Sequence, residues 1–481
     1  MVQTSIANSG KLGTNRVVQL LGQWSNGSGA LYRQLAGALT TLIDDGSLRT
    51  GDRLPAERSL AQALSVSRGT VVKAFELLEA EDSVTRVQGS GTTVNGPRIS
   101  SAKKDSFVGE RLWVAEGGAL DLLKAIPRLL PGTAALVDAI DLRRYTSDLN
   151  GSEPLGWWKL RELIAELHTS QGLLTSPHQV MVTSGAQQAI ALVVNSMVQP
   201  GDVVIGEDDT WPGLIDVVRQ RGARFEPVKM DQGGIIIADL EAKVDRFRPA
   251  LIALNPQQQN PTGTRLPIDR VRAVADIALR YRIPVLEDRV AADRTFVGRH
   301  LPAIDEFDTG GYGMTVGSIC KIAWPGLRLG WLRADAQVIN RIRSHKAVLD
   351  MFSPAISQML GIEIIERYDD FVAERLADLR ASADVVIRRL DDDFPDWSFL
   401  APRGGYSVWV NLPDDVSADA FVQAAGVQGV LVASGRAFCP SDADCSNIRI
   451  PFTAPPDVLE AAMDRLAETW RLFRSRTHQG S

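Results

Sequence analysis

From about residue 113 to the end of the chain, short apolar runs alternate with longer amphipathic segments. This alternation constrains the fold more than any other feature. Val180–Val182, Asp202–Ile205, Leu251–Leu254 and Pro284–Leu286 are too short for helices, and each precedes a stretch with apolar residues at helical spacing. Such runs read as buried strands, and strands joined through helices lie parallel. The expectation is an α/β domain with a large, mostly parallel sheet. From about 345 a helix-rich portion carries a few further strands (Ser407–Asn411, Asn447–Ile450), which reads as a smaller α/β subdomain.

Composition sets exclusions. At 481 residues the chain exceeds one core, so two or three domains are expected. No apolar stretch approaches the roughly 20 residues that span a bilayer. No continuous apolar segment follows Lys11 and Arg16, so no secretory signal is expected and the cytoplasm is the expected compartment. Cys320, Cys439 and Cys445 lack metal-ligand spacing and the histidines do not cluster near them, so neither a disulfide framework nor a metal site is expected. A net charge of −6 argues against a chain that coats nucleic acid along its whole surface, but leaves room for one small reading module.

Residues 1–27, rich in Ser, Asn and Gly, are expected to fray or dock loosely. A compact unit follows over 28–96, then a polar linker over 97–112, then the α/β part over 113–475. In the compact unit, Leu31, Leu35, Leu39, Leu42 and Ile43 form a helical stripe. Pro55 fits the first position of a second helix, with Glu57 in its first turn. A short link, Ser65-Val66-Ser67, leads into a third helix from Arg68 to Leu78 with Ser67 as its N-cap. Val84–Val94 alternates around Gln88-Gly89-Ser90-Gly91, which reads as a hairpin wing. Two helices joined so tightly suit a helix-turn-helix.

The charge of this unit does not by itself point to DNA: seven Lys/Arg face eight Asp/Glu. A small helical subdomain without a partner is the alternative. Position favours a reader. Arg53, Arg58, Arg68, Lys73 and Arg86 fall at the second helix, the start of the third and the wing, while acids gather at Asp44–Asp45 and Glu76–Asp82. Phosphates need local cations and helix N-termini rather than a basic average. The strings Arg53-Leu-Pro-Ala-Glu-Arg58, Val66-Ser-Arg-Gly-Thr-Val71 and Gln88-Gly-Ser-Gly91 resemble the GntR family of bacterial repressors. That resemblance implies contact with double-stranded operator DNA by Arg53, Arg58, Ser67, Arg68, Gly69 and Thr70, with Gln88 and Gly89 entering the minor groove.

The C-terminal part carries several motifs in one chain order. They are Thr183-Ser-Gly-Ala-Gln187, Asp209-Thr-Trp-Pro-Gly213, Asn260-Pro-Thr-Gly263, Pro284-Val-Leu-Glu-Asp288, Ser318-Ile-Cys-Lys321, Ala323-Trp-Pro-Gly-Leu-Arg-Leu-Gly-Trp331 and Asn447-Ile-Arg-Ile450. A lysine amid Ile, Ala and Trp is a poor surface residue, an acid ending an apolar strand sits where open α/β sheets bind ligands, and a strand-to-helix turn presents N–H donors to a phosphate. Taken singly, Asp288 could be a helix cap, Asn260 a turn residue and Trp211 a core residue. Taken together, the set resembles the fold-type I aminotransferases, which hold pyridoxal 5'-phosphate (PLP).

The resemblance implies a Schiff-base lysine at Lys321 and a pyridine-nitrogen partner at Asp288. It implies a ring-oxygen donor at Asn260, phosphate contacts from Gly185, Ala186, Gln187, Ser318 and Arg328, and a stacking ring at Trp211. Arg449 would clamp an effector carboxylate, and Tyr145, with Gly156 and Arg161 after it, would reach the partner's phosphate.

The fusion of both resemblances is similar to the MocR subfamily of regulators. It implies a head-to-tail homodimer that regulates transcription by sensing a small amino compound, or PLP, through an aldimine at Lys321. The alternatives are a working aminotransferase with an accessory reader and a scaffold without PLP. One position departs from the pattern: Val290 stands two residues after Asp288, where a Tyr commonly holds the ring oxygen. That departure weighs against efficient turnover more than against binding. Cys320, in place of the usual Ser before the lysine, is a smaller change.

Overall fold

The computed structural model describes residues 13–25, 29–44, 46–80, 83–87, 91–95, 112, 119–141, 143, 152–298, 301–440 and 445–478. Tyr145, Gln88 and Gly89 lie outside the described residues.

The N-terminal unit contains α1 (Thr14–Leu21), α2 (Leu31–Asp44), α3 (Glu57–Ala63), α4 (Arg68–Ala80) and the antiparallel hairpin of β1 (Val84–Val87) and β2 (Gly91–Val94). The expected leucine stripe is buried: Leu35, Leu39 and Ile43 meet Leu60, Val71, Phe75 and Leu78 in one core. Two details differ from expectation. Helix α3 begins at Glu57, with Ala56 as its N-cap, so Pro55 precedes the helix rather than opening it. Residues 14–21 do not fray. They form a helix whose Val17, Val18 and Leu21, with Trp24, join the same core. Averaging composition over 1–27 hides this short apolar stripe.

The α/β part holds a seven-stranded sheet. Its strands are β4 (Val180–Thr183), β5 (Val203–Glu207), β6 (Arg224–Val228), β9 (Leu251–Leu254), β10 (Val285–Asp288), β11 (Gly313–Ser318) and β12 (Gly330–Arg333), with β7 (Met230–Asp231) and β8 (Gly234–Ile235) forming a separate small hairpin. The sheet order is β4-β12-β11-β10-β9-β5-β6. All neighbours run parallel except β12, which is antiparallel to both β11 and β4. The carboxyl ends of β4, β10 and β11 therefore share one edge, which places Thr183, Asp288 and Ser318 together. Helices α5 (Pro131–Ala139) and α6 (Trp158–Ser170) precede the sheet. Within it come α7 (Ala186–Met197), α8 (Pro212–Gln220), α9 (Ile237–Phe247) and α10 (Ile268–Tyr281).

After the sheet come α11 (Ala336–Leu349), α12 (Ala355–Glu366) and the long α13 (Tyr368–Asp393). The smaller subdomain contains β13 (Ser398–Phe399), β14 (Ser407–Asn411), α14 (Ala418–Val427), β15 (Val430–Ser434), β16 (Asn447–Pro451) and α15 (Pro456–His478). Its sheet runs β13-β14-β16-β15-β3, where β3 is Leu120–Leu122 and pairs parallel with β15. The strand at Leu120–Leu122 thus pairs with the far end of the chain. Trp397, Phe421, Trp470 and Phe473 pack edge-to-face or stacked in the core of this subdomain.

Candidate functional site

A cavity of about 690 Å³ opens where the carboxyl ends of β4, β10 and β11 face the smaller subdomain. It brings together Gly185, Ala186, Gln187, Trp211, Asn260, Asp288, Ser318, Lys321, Arg328 and Arg449. Apart from the segment of Gly156 and Arg161, expected to reach the partner's phosphate, every expected cofactor and carboxylate residue within the described part of the chain lines one space.

One end is built for an anion. Gly185 caps α7 with φ 93°, a conformation that favours glycine, and a Cβ there would lie 2.9 Å from Arg328 Nη2. Gln188 and Ala189 donate to the Gly185 carbonyl, which leaves the N–H groups of Ala186 and Gln187 as the outward donors of the first turn. Arg328, exposed at the mouth and itself left-handed at φ 48°, donates to the Ser184 carbonyl at 2.8 Å. Ser318 is buried behind them. Its hydroxyl donates to Leu329 O at 2.9 Å and accepts from Cys320 N at 3.1 Å. The Gln187 side chain is spent on position: it donates to Gly213 O and accepts from Trp211 Nε1 at 2.7 Å, fixing the indole over the cavity.

At the other end of the cavity floor, Asp288 ends β10 and accepts from Val290 N at 2.9 Å. Burial pushes its carboxyl pKa up, while that N–H and the Lys321 charge draw it down. Burial pushes the Lys321 ammonium down to about 8, with Arg449 adding to the fall and Asp288 opposing it. Lys321 Nζ rests 4.6 Å from the centre of the Tyr406 ring. Tyr406 is buried, and burial lifts its hydroxyl to about 12.

Arg449, on β16, is 1% exposed. It lies over the Phe438 ring at 4.5 Å and donates to Asn260 Oδ1 at 3.1 Å and to Leu123 O. Both acceptors are neutral, Nε has no hydrogen-bond partner among the described residues, and burial draws the guanidinium down to about 9. A desolvated cation with an idle donor is built to take an anion. Because Asn260 uses its oxygen on Arg449, its NH₂ is the group left to donate into the cavity.

These residues fit PLP. The glycine cradle before α7 suits a phosphate, a half-buried acid stands at a strand end, a half-buried lysine has a lowered pKa, and Asn255 Oδ1 and Arg449 Nε are buried acceptor and donor without partners among the described residues. Val290 lines the same cavity and packs into the apolar cluster beneath the sheet, so its position supplies no hydroxyl. Arg161 is not among the residues lining this cavity. It lies buried on α6 with its guanidinium 5.0 Å from the Trp158 ring, and Gly156 holds φ 89° against Val182.

Sequence reasoning missed Tyr406 and the wall of Leu112, Leu123 and Ile126. The Gly404-Gly405 pair before Tyr406 was the available signal. Both glycines are left-handed, and a Cβ on Gly404 would strike the Arg294 carbonyl at 1.8 Å. The apolar wall carries no local signal.

In the N-terminal unit, Ser67 Oγ accepts from Thr70 N at 3.1 Å and so caps α4. Ser67, Arg68 and Gly69 lie exposed at the start of that helix, Thr70 half-buried beside them, and Arg53, Arg58 and Lys73 are exposed nearby. The expected separation of acids from bases is incomplete. Glu57 accepts from Arg68 Nη2 at 3.0 Å and from Arg86 Nη2 at 2.8 Å, holding the start of α4 to the hairpin. The hairpin pairs Val84 with Val94 and Val87 with Gly91.

The family model described as "Aminotransferase class I and II" matches residues 129–466, and "Bacterial regulatory proteins, gntR family" matches 31–94. Among curated relatives, the HTH-type transcriptional regulator YisV of Bacillus subtilis is 24% identical over 92% of this chain and 96% of its own length. TauR of Rhodobacter capsulatus is 27% identical over 86% and 90%, and NorG of Staphylococcus aureus 26% over 76% and 87%. Among solved structures, the α-aminoadipate aminotransferase LysN of Thermus thermophilus superposes with TM-score 0.71, at 24% identity over 77% of this chain and 96% of that one. The multiple substrate aminotransferase of Thermococcus profundus gives TM-score 0.71 at 24% identity over 78% and 96%. The chain thus belongs to the aminotransferase class I and II family and carries a GntR helix-turn-helix domain ahead of it, the two-part build of the MocR-type transcription regulators.

Proposed function

We propose that this chain is a PLP-dependent, DNA-binding transcription regulator of the cytoplasm that works as a head-to-tail homodimer and senses an amino compound or PLP at Lys321. The observation that carries this reading is one cavity holding Lys321, Asp288, Asn260, Arg328 and Arg449, on a chain whose other domain presents a capped helix with exposed arginines. Bound PLP supplies an aldehyde that exchanges between amines. Lys321, drawn down to about 8, offers a neutral amine to that aldehyde near neutral pH. Asp288 would hold the ring nitrogen, the NH₂ of Asn260 the ring oxygen, and the α7 N-terminus with Arg328 the phosphate. Arg449 would fork onto a carboxylate of the effector and orient its amine toward Lys321. Tyr145 would reach the partner's phosphate across the dimer. The hairpin would act as a wing, with Gln88 and Gly89 entering the minor groove.

The complete set of lysine, acid, amide and arginine keeps a working aminotransferase as the second reading. Val290, which gives the ring oxygen no hydroxyl, favours sensing. The deciding experiment is a DNA footprint titrated with PLP and a panel of amino acids, repeated with Lys321→Ala. The regulator reading expects sequence-specific protection that responds to an amino acid in the parent and not in the variant. Absence of specific protection, or multiple turnovers with an amino donor and a 2-oxo acid without any change in protection, would overturn it.

A further inference from the structure

The DNA reader is seated on the smaller subdomain of its own chain. Helix α1 belongs to the reader, since Val17, Val18, Leu21 and Trp24 share its core. Directly after α1, Gly22 turns the backbone at φ 50°, and Gln23 Nε2 donates to two carbonyls of the smaller subdomain, Val422 O on α14 at 3.2 Å and Val432 O on β15 at 3.0 Å. The approach is close: a Cβ on Gly426 would lie 3.3 Å from both Gln23 Oε1 and Ser25 O. Beside this contact lies a small cavity of about 40 Å³, bordered by Gln19, Gln23 and Gln423. Gln23 Oε1 and Gln423 Oε1 are buried there without hydrogen-bond partners among the described residues.

This seat and the effector cavity have a common wall. Leu112 and Leu123 line both spaces, and they pack with Leu431, Ala433 and Phe438 in one apolar cluster. Phe438 is the ring beneath Arg449, and Leu123 O is an acceptor of Arg449 Nη2. A carboxylate forking onto the idle Nε and the adjacent Nη2 competes with Leu123 O for that donor. We propose that Gln23 couples the two halves: filling Arg449 releases Leu123, shifts the shared Leu112–Leu123 wall and changes the seat of the reader on α14 and β15. The proposal rests on the reading of Arg449 as a carboxylate clamp, and its specific content is the route through Leu123 to Gln23.

The test is amide hydrogen exchange on the full-length chain, comparing propionate with chloride at equal ionic strength and using Arg449→Gln as the control for the clamp. Propionate is a minimal carboxylate without an amine. The expected result is an exchange change of at least about fivefold at 120–123 and at 14–25 in the parent, and at neither segment in Arg449→Gln. In Gln23→Ala the change at 120–123 persists while that at 14–25 is lost. In Gln23→Glu, whose carboxylate faces two carbonyls, residues 14–25 exchange faster before any propionate is added. A response at 120–123 without one at 14–25 in the parent, or a full response at 14–25 in Gln23→Ala, overturns the coupling alone. No response at either segment in the parent overturns the clamp and the coupling with it.

Discussion

Lys321 shows how much a single residue's surroundings decide. Its sequence neighbours Ile319, Cys320, Ile322 and Ala323 are all buried, and that burial is what lowers its pKa. Only the deprotonated amine attacks a carbonyl, so a lowered pKa raises the reactive fraction. With a pKa of about 8, roughly a tenth of the amine is neutral at pH 7, against less than a thousandth at the ordinary value. Capture of PLP by the cofactor-free protein, followed by absorbance, is expected to rise about tenfold per pH unit below 8 and to level off above it. A rate still climbing at that slope beyond pH 9 would show an unshifted lysine. The lysine, Asp288, Asn260 and Arg449 were legible because each sits in a short contiguous string. Tyr406 was not: the Gly404-Gly405 pair marks a close backbone approach, but it does not tell that the ring after it lies against Lys321, 85 positions away.

Between elements, α6 is tied to β12 by a buried pair: Trp331 Nε1 donates to His168 Nε2 at 2.9 Å. The acceptor role requires a neutral imidazole, and burial together with Arg289 and Arg333 pushes its pKa down to about 3. A folded pKa below the unfolded value means that the unfolded chain binds the extra proton first. Stability from this pair is therefore complete above about pH 6.5 and falls as the pH drops toward 3, by up to about 1.4 kcal/mol per unit. His168→Gln is expected to flatten the acid limb of a melting-temperature profile between pH 7 and 5. An unchanged limb would mean that other groups set it. The four strands first read from apolar runs in the large sheet all exist, but β6, β11, β12 and β15 did not stand out. β11 and β12 carry Gly313, Gly317 and Gly330 inside or at their ends, where close packing, not side-chain pattern, makes the strand. A Cβ on Gly330 would sit 2.8 Å from Ala186 N.

Across the whole molecule, an apolar face stands uncovered at the junction of α11 and α12. Val348 is 87% exposed, Met351 64%, Leu349 58% and Ile356 57%. This face connects to the end of the cavity formed by Gly185 and Arg328. Asp350 accepts from Gln188 Nε2, and Gln188 Oε1 accepts from Ser184 N beside the Gly185 cradle. Four large apolar side chains left open side by side mark an interaction surface, and a second copy is the occupant that the proposed homodimer supplies. Leu349→Glu with Met351→Glu is expected to yield monomers in sedimentation velocity and to weaken PLP binding by about tenfold, since the cradle loses its support. A dimer that persists with full PLP affinity would place the interface elsewhere.

The two-part build and the motif residues that line the cavity were legible in the sequence alone. Those properties depend on residue types in fixed local order: a capped helix, a glycine turn before α7, a strand ending in an acid, a lysine in an apolar string. The tertiary structure alone decided which donors remain free and what touches what. Arg449 meets Asn260 and Leu123 from positions 189 and 326 residues away, and Gln23 reaches Val432 across 409. Contacts of that span leave no periodicity or motif behind. They exist because β3 returns to pair with β15 and because burial strips water from groups that must then find one another.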